Sequence, residues 1–171
     1  SAAIGAIGIT ASGNFTNTGA ISGNSGITVN VGGTLGSSGT ISAGAGSAVV
    51  ATSVDAMTIN GNVTGPGGVT LNVTGADKIL TQNAGTITST NSAIALIADE
   101  MMLTSAINSG SGAVTLKPNN TTDAIRLGVA AASTNNSAAM LELADGELNT
   151  ISTTGGLTIG AANDTGAITV A

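Results

Sequence analysis

The chain has 171 residues, a formal net charge of −6, 42% hydrophobic but only 1% aromatic residues, and neither cysteine nor histidine. Its three basic residues leave no cationic surface for nucleic acid or anionic lipid, and without cysteine and histidine a zinc or copper site is not expected. The hydrophobic content is too high for a disordered chain, while no apolar stretch reaches the roughly 18 residues of a membrane span.

Short apolar clusters recur along the whole chain, separated by Gly, Asn, Ser and Thr. Within the clusters apolar and polar residues alternate, as in Ile27-Thr28-Val29-Asn30-Val31 and again in residues 69–73. This is the period of a β-strand with one buried face, so the clusters predict strands of about three to five residues. The intervening glycine and asparagine tolerate the positive φ that sharp corners need.

Every third cluster falls in one series with a spacing of about 20 to 23 residues, and two further series beginning at Ile9 and Ile21 are less even. Three series indicate three faces of a coil that repeats along the chain. The sequence therefore predicts an all-β fold, a three-sided parallel β-helix (β-solenoid) of about seven coils of roughly 22 residues, forming a single domain over residues 1–171. The most regular series is predicted to be a core column, namely Phe15, Leu35, Met57, Ile79, Met102, Ile125 and Leu148.

Residues 143–151 depart from strand character. Leu148 and Ile151 are three residues apart and follow Asp145, which predicts a single helical turn at a corner with Asp145 as its cap. Residues 119–123 and 130–138 are predicted to protrude as longer loops. Their sequons make three residues candidate glycosylation sites, namely Asn119, Asn120 and Asn135.

One group of acidic residues is a candidate for catalysis, because glycoside hydrolysis needs two carboxyl groups close together. The group contains Asp123, Glu142 and Asp145, with Arg126 nearby in sequence. No histidine and no aromatic platform accompany it. We interpret it instead as a corner ion pair between Asp123 and Arg126, and no catalytic residue is predicted.

A second acidic pair, Asp99 and Glu100, raises the question of calcium binding. One pair supplies too few oxygen atoms for such a site, so an exposed corner is predicted there. The sequence thus predicts no metal site and no cofactor.

Four carboxyl-terminal segments carry a resemblance to a known family. They are Ser-Gly-Ala-Val-Thr-Leu-Lys-Pro (111–118), Ala-Ile-Arg-Leu-Gly (124–128), Leu-Ala-Asp-Gly-Glu-Leu-Asn-Thr-Ile (143–151), and Leu-Thr-Ile-Gly with Thr-Gly-Ala-Ile-Thr-Val (157–160 and 165–170). These segments resemble repeats of filamentous-haemagglutinin-like bacterial adhesins, which are secreted by the two-partner route. The resemblance implies a right-handed winding, export to the bacterial cell surface, and a role in adhesion or matrix building. The Asn-Pro-Asn-type motifs of the family's secretion domain do not occur in this sequence.

Both ends of the sequence are aliphatic β-sequence without an evident cap. This predicts head-to-tail stacking of copies, because an uncapped terminal coil exposes unpaired backbone groups and apolar columns. The predicted interface consists of Ile4, Ile7, Ile9, Ile168 and Val170.

The favoured hypothesis is a non-enzymatic structural protein that builds an extracellular fibre or adhesin as a homopolymer. A second hypothesis is a segment of a giant adhesin that binds glycans or proteins of host or neighbouring cells. A third is a polysaccharide-active β-helix enzyme.

Overall fold

The computed structural model describes residues 5–129 and 140–171, and the regular structure in these ranges is β-strand except for one four-residue helix. The elements in chain order are β1 (Ile7–Ala11), β2 (Phe15–Asn17), β3 (Ile21–Gly23), β4 (Ile27–Val31), β5 (Leu35–Ser37), β6 (Ile41–Ala43), β7 (Val49–Ser53), β8 (Met57–Ile59), β9 (Val63–Thr64), β10 (Val69–Val73), β11 (Ile79–Gln82), β12 (Ile87–Thr88), β13 (Ile94–Ile97), β14 (Glu100–Leu103), β15 (Ile107–Gly110), β16 (Val114–Lys117), β17 (Ala124–Val129), β18 (Met140–Ala144), α1 (Asp145–Leu148), β19 (Ile151–Thr153), β20 (Leu157–Ile159) and β21 (Ile168–Val170).

From β1 to β16, strands three apart in the chain pair with one another in parallel. Sheet A has the order β1-β4-β7-β10-β13-β16-β20, sheet B the order β2-β5-β8-β11-β14, and sheet C the order β3-β6-β9-β12-β15-β19. Strands β1 to β15 therefore make five complete coils, each with one strand in every sheet. The predicted parallel β-solenoid is confirmed.

The alternation in sequence sets which side chains enter the core. In β4 the side chains of Ile27, Val29 and Val31 are buried, while Thr28 and Asn30 are exposed. Each inner side chain stacks on its register partner in the next coil, as Ile27 does on Val49. Every fully buried aliphatic side chain of this kind contributes about 1.5 to 3 kcal/mol of burial free energy.

Glycine at the corner between sheets B and C allows the coils to approach closely. A Cβ atom added to Gly39 would collide with the backbone of Gly19, and one added to Gly61 would collide with the backbone of Gly39. Gly85 continues this stack with φ +70°. The corner therefore requires glycine for space in successive coils.

The predicted core column is confirmed in its first three members and wrong in the next two. Phe15 pairs with Leu35, and Leu35 with Met57. Met57 is then followed by Leu80 and Met101, which are both fully buried, rather than by Ile79 and Met102. A shift of one residue turns a side chain to the other face of a strand, so Ile79 and Met102 face outward and are half-buried.

The last two predicted members of the column lie elsewhere in the fold. Ile125 is buried but belongs to sheet D, which has the order β18-β17-β21, and Leu148 lies in α1. Strand β18 contacts β14, while β19 and β20 continue sheets C and A. The predicted count of about seven regular coils is not confirmed, because β17, β18 and α1 interrupt the regular winding after β16.

The helical turn is present, but Asp145 does not cap it. Ala144 precedes the helix and makes no side-chain cap hydrogen bond, while Asp145 is an exposed residue of the first turn. The cap comes from the buried carboxylate of Glu147, which accepts hydrogen bonds from the backbone N–H of Ala144 (2.8 Å) and of Leu103 in β14 (3.0 Å). Glu147 thus fastens the helix to the last regular coil.

The residues of the predicted stacking interface lie on opposite edges of the stack. Ile7 and Ile9 in β1 are half-buried against the core, whereas Ile168 and Val170 in β21 are 58% and 79% exposed. Ile4 lies outside the described residues. Among the described residues, no helix has the length and apolar character needed to cross a bilayer.

Candidate functional site: an acidic corner

Three aspartates from successive turns of the chain meet at the corner that leads out of sheet A. Asp77 precedes β11, Asp99 precedes β14 and Asp123 precedes β17. One carboxylate oxygen from each lies within 4.8 Å of the other two. Parallel coils repeat at roughly 4.8 Å, so equivalent positions in successive turns come directly above one another. We call these three residues the acidic corner.

Asp99 occupies the middle of the acidic corner and is fully buried. Its Oδ2 accepts a hydrogen bond from the backbone N–H of Asp77 (3.0 Å), which has φ +54°. Its Oδ1 accepts one from the backbone N–H of Asn120 (2.7 Å). The carboxylate of Asp99 therefore links the backbones of the turns before and after it.

Asp123 is also buried, with 1% of its surface exposed. Its Oδ1 accepts a hydrogen bond from Nδ2 of Asn120 (2.7 Å), whereas its Oδ2 is buried without a hydrogen-bond partner. Burial, and then the negative charges of Asp99 and Asp77, raise the pKa of Asp123. One carboxylate oxygen of Asp123 lies within 4.8 Å of one of Asp99, so the two carboxyl groups are close neighbours.

Two glutamates extend the negative charge beside the acidic corner. Burial and then the charges of Asp77, Glu142 and Asp99 raise the pKa of Glu100. Glu142 in β18 is buried and pairs with Arg126 at 3.4 Å, because the two residues are register partners in β18 and β17. The predicted ion pair between Asp123 and Arg126 is therefore wrong.

The basic side chains that form ion pairs in the described part of the chain serve other carboxylates. Arg126 pairs with Glu142, and Lys78 pairs with Asp55 at 3.4 Å on the surface. Asp99 and Asp123 are consequently stabilised by N–H donors and not by a cationic side chain. Such a group of carboxylates can hold a shared proton or a hard cation.

The sequence prediction of an exposed Asp99 is wrong, and Asp77 was not recognised at all. A signal for both was present, because Asp77, Asp99 and Asp123 are each about one coil apart in sequence. Successive coils stack in register, so acidic residues repeating at the coil period predict a carboxylate cluster. Sequence neighbours such as Asp99 and Glu100 instead point to opposite faces of the chain and do not form such a cluster.

The candidate glycosylation sites fall near the same corner. Nδ2 of Asn119 donates a hydrogen bond to the carbonyl oxygen of Thr74 (3.0 Å), and both nitrogen atoms of Asn120 donate to the acidic corner. Asn135 lies outside the described residues. Glycosylation of these residues stays a prediction.

Comparison with family models, with curated proteins and with solved structures finds no match for this chain. The fold and the acidic corner are therefore the basis for inferring its function. The resemblance to filamentous-haemagglutinin-like adhesins rests on the sequence segments alone and stays a prediction.

Proposed function

We propose that this protein is a non-enzymatic structural protein of the bacterial cell surface, a β-solenoid unit that stacks end to end in an extracellular fibre or adhesin. The observation that carries the proposal is the exposure of the outermost strand of sheet D. Ile168 and Val170 in β21 are 58% and 79% exposed, whereas the inner aliphatic side chains of β4 to β16 are buried.

The edges of the stack favour addition of another strand in the same direction. Strand β20 is the last of sheet A and pairs with β16 on one side, and its Leu157 is 40% exposed. Strand β1 is the first of the same sheet and presents Ile7 and Ile9. An unpaired edge next to apolar side chains is a template for strand pairing. A contact between opposite ends of two copies does not close on itself and therefore produces a fibre.

The interior and the acidic corner support a role without catalysis. No pocket is found on the residues that the structure describes, whose core is filled with aliphatic side chains. Asp99 and Asp123 are 0% and 1% exposed, so their carboxyl groups are not accessible to a polysaccharide chain. Glycosidases instead place their two carboxyl groups on either side of an open sugar site.

Location at the bacterial surface is supported by the sequence segments that resemble two-partner-secreted adhesins, above all residues 143–151. In the structure this segment forms part of β18, α1 and the start of β19. An aliphatic rod with few charges and no cysteine needs neither a reducing compartment nor disulfides to keep its form.

Electron microscopy of the purified chain tests the stacking. We expect uniform fibres one solenoid wide, and we expect Ile168→Lys combined with Val170→Lys to abolish them, since lysine on an edge strand opposes pairing. The matched control is Val54→Lys, at a corner residue that is 47% exposed and lies away from the stack edges. Short rods from the unmodified chain would contradict stacking and would favour the segment of a longer adhesin.

Polysaccharide turnover assays test the non-enzymatic assignment. We expect no turnover, and no difference between the unmodified chain and a variant with Asp123→Asn and Glu142→Gln. Turnover by the unmodified chain that this variant loses would overturn the assignment.

A further inference from the structure

The acidic corner brings the carboxyl groups of three successive turns of the chain to one place. We propose that Asp77, Asp99 and Asp123 form a binding site for one divalent cation, and that calcium is the ion it fits. This inference is independent of the proposed function, because it depends only on the stacking of three turns of the chain.

The distances between the oxygen atoms suit a single ion. Ca²⁺ binds oxygen ligands at roughly 2.3 to 2.6 Å, so two ligands of one ion can be up to about 5 Å apart. The three carboxylate oxygens lie within 4.8 Å of one another. One ion between them would contact a carboxylate from each of three successive turns.

A second observation points to a ligand at this position. Oδ2 of Asp123 is a buried oxygen without a hydrogen-bond partner, in a residue that is 1% exposed. The carboxyl group that carries it belongs to the acidic corner, with one oxygen within 4.8 Å of oxygens of Asp99 and Asp77. Buried acceptors are normally satisfied by a donor, an ordered water or an ion, and a cation at this point would satisfy Oδ2 directly.

The hydrogen bonds at the corner hold the carboxylates of Asp99 and Asp123 in place for the ion. Asp99 is oriented by the backbone N–H groups of Asp77 and Asn120, and Asp123 by the side chain of Asn120. Carboxylate oxygens carry more than one lone pair, so these bonds leave capacity for coordination. Asn120 therefore acts as a positioning residue that aligns two of the three ligands.

The donor set decides the class of ion. The chain has no cysteine or histidine, so every side-chain ligand at the corner is an oxygen, which suits calcium or magnesium and not zinc or copper. Asp77 is exposed, so water can complete the coordination shell from the solvent side. Ca²⁺ accepts irregular shells of six to eight oxygens, whereas Mg²⁺ demands a near-ideal octahedron, and an irregular corner therefore favours calcium.

Isothermal titration of the chelator-treated chain with calcium chloride at neutral pH tests the site. We expect one saturable site per chain and a higher thermal unfolding midpoint in calcium, because an ion that binds only the folded chain stabilises it. Sodium chloride at matched ionic strength should not reproduce the rise in midpoint. Circular dichroism is the suitable unfolding signal, since the chain has no tryptophan or tyrosine.

Single substitutions assign the binding to the three aspartates. Asp99→Asn and Asp123→Asn should each weaken calcium binding at least about tenfold, since each removes one charged ligand. Asp145→Asn, the same charge change on exposed α1, should bind like the unmodified chain. If a variant at a buried position does not fold, Asp77→Asn at the exposed position is the test variant. It should weaken calcium binding by the same factor.

Three results would each overturn the proposal. The first is the absence of saturable heat up to about 10 mM calcium, well above the millimolar dissociation constants of weak extracellular sites. The second is a rise in the unfolding midpoint that sodium chloride matches, which would indicate charge screening. The third is unchanged calcium affinity in the aspartate variants. A proton shared by Asp99 and Asp123 in place of an ion would give the first result.

Discussion

The regular coils of β1 to β15 and the region from β16 to β21 differ in how successive turns of the chain pack on one another. In the coils, inner positions repeat as aliphatic columns such as Leu35, Met57 and Leu80, and glycine at the corners lets backbones approach. In the later region β17, β18 and a helical turn interrupt the winding, and Glu142 and Glu147 are buried there.

The difference shows which residues stabilise a stack of coils in register and which destabilise it. A residue at one position of a coil lies on the same position of its neighbours, so aliphatic side chains reinforce each other and like charges repel. Charges are therefore rare in β1 to β10, and the buried acids begin with Asp99 in the last regular coil and continue in the irregular region. Backbone N–H groups stabilise Asp99 and Glu147 there. The acidic corner lies at the junction between the two regions.

The largest expected effect tests the columns of the regular coils. Leu80→Ala should lower the free energy of unfolding by about 2 to 5 kcal/mol, because it leaves a cavity in a fully buried column. Ile79→Ala, the matched control one residue earlier, should cost less than about 1.5 kcal/mol since that side chain faces outward and is half-buried. Chemical denaturation monitored by circular dichroism measures both, and equal losses would contradict the register.

The next effect tests the close approach of the coils. Gly39→Ala should destabilise the fold by about 1 to 3 kcal/mol, because the new Cβ would collide with the backbone of Gly19 and the coils would have to move apart. Gly36→Ala in the neighbouring strand meets nothing within 4 Å and should be neutral within about 0.5 kcal/mol. A tolerated Gly39→Ala would show that the corner is looser than described.

A third substitution tests how the irregular region is fastened to the coils. Glu147→Ala should cost about 1 to 3 kcal/mol, because it leaves the backbone N–H groups of Leu103 and Ala144 without their acceptor. Hydrogen exchange should become faster at Leu103 in particular. Asp145→Ala, which removes an exposed acid from the same helix, should leave that exchange rate unchanged. Equal hydrogen-exchange rates at Leu103 in the two variants would show that Glu147 does not fasten the helix to the coils.

The smallest effect belongs to the surface of the regular coils. Lys78 and Asp55 form an ion pair at 3.4 Å, with side chains 44% and 48% exposed. Solvent screens such a pair, so Lys78→Ala should change the free energy of unfolding by less than about 1 kcal/mol. A larger loss of unfolding free energy in the same denaturation experiment would mean that this surface ion pair is an important source of stability for the coils.

The sequence predicted the fold class because strand alternation and corner residues repeat together. The register prediction failed at two adjacent apolar pairs, Ile79-Leu80 and Met101-Met102. Hydrophobicity alone does not tell which residue of such a pair faces inward. The acidic corner is not visible in any local segment, because its members become neighbours only when successive coils stack in register. The inserted β17 and β18 follow from long-range contacts, which no local pattern encodes.

Paired cysteine substitution measures the register most directly, in a chain without native cysteine. Thr58 and Thr81 are register partners in β8 and β11. Parallel neighbours at roughly 4.8 Å are within disulfide range, so Thr58→Cys with Thr81→Cys should oxidise readily to an intramolecular disulfide. Thr58→Cys with Leu80→Cys would be register partners if Met57 stacked on Ile79, as the sequence series predicts. This pair should not form a disulfide, because those side chains point to opposite faces. Rapid oxidation of the second pair and not the first would contradict the stacking of the coils described for this protein.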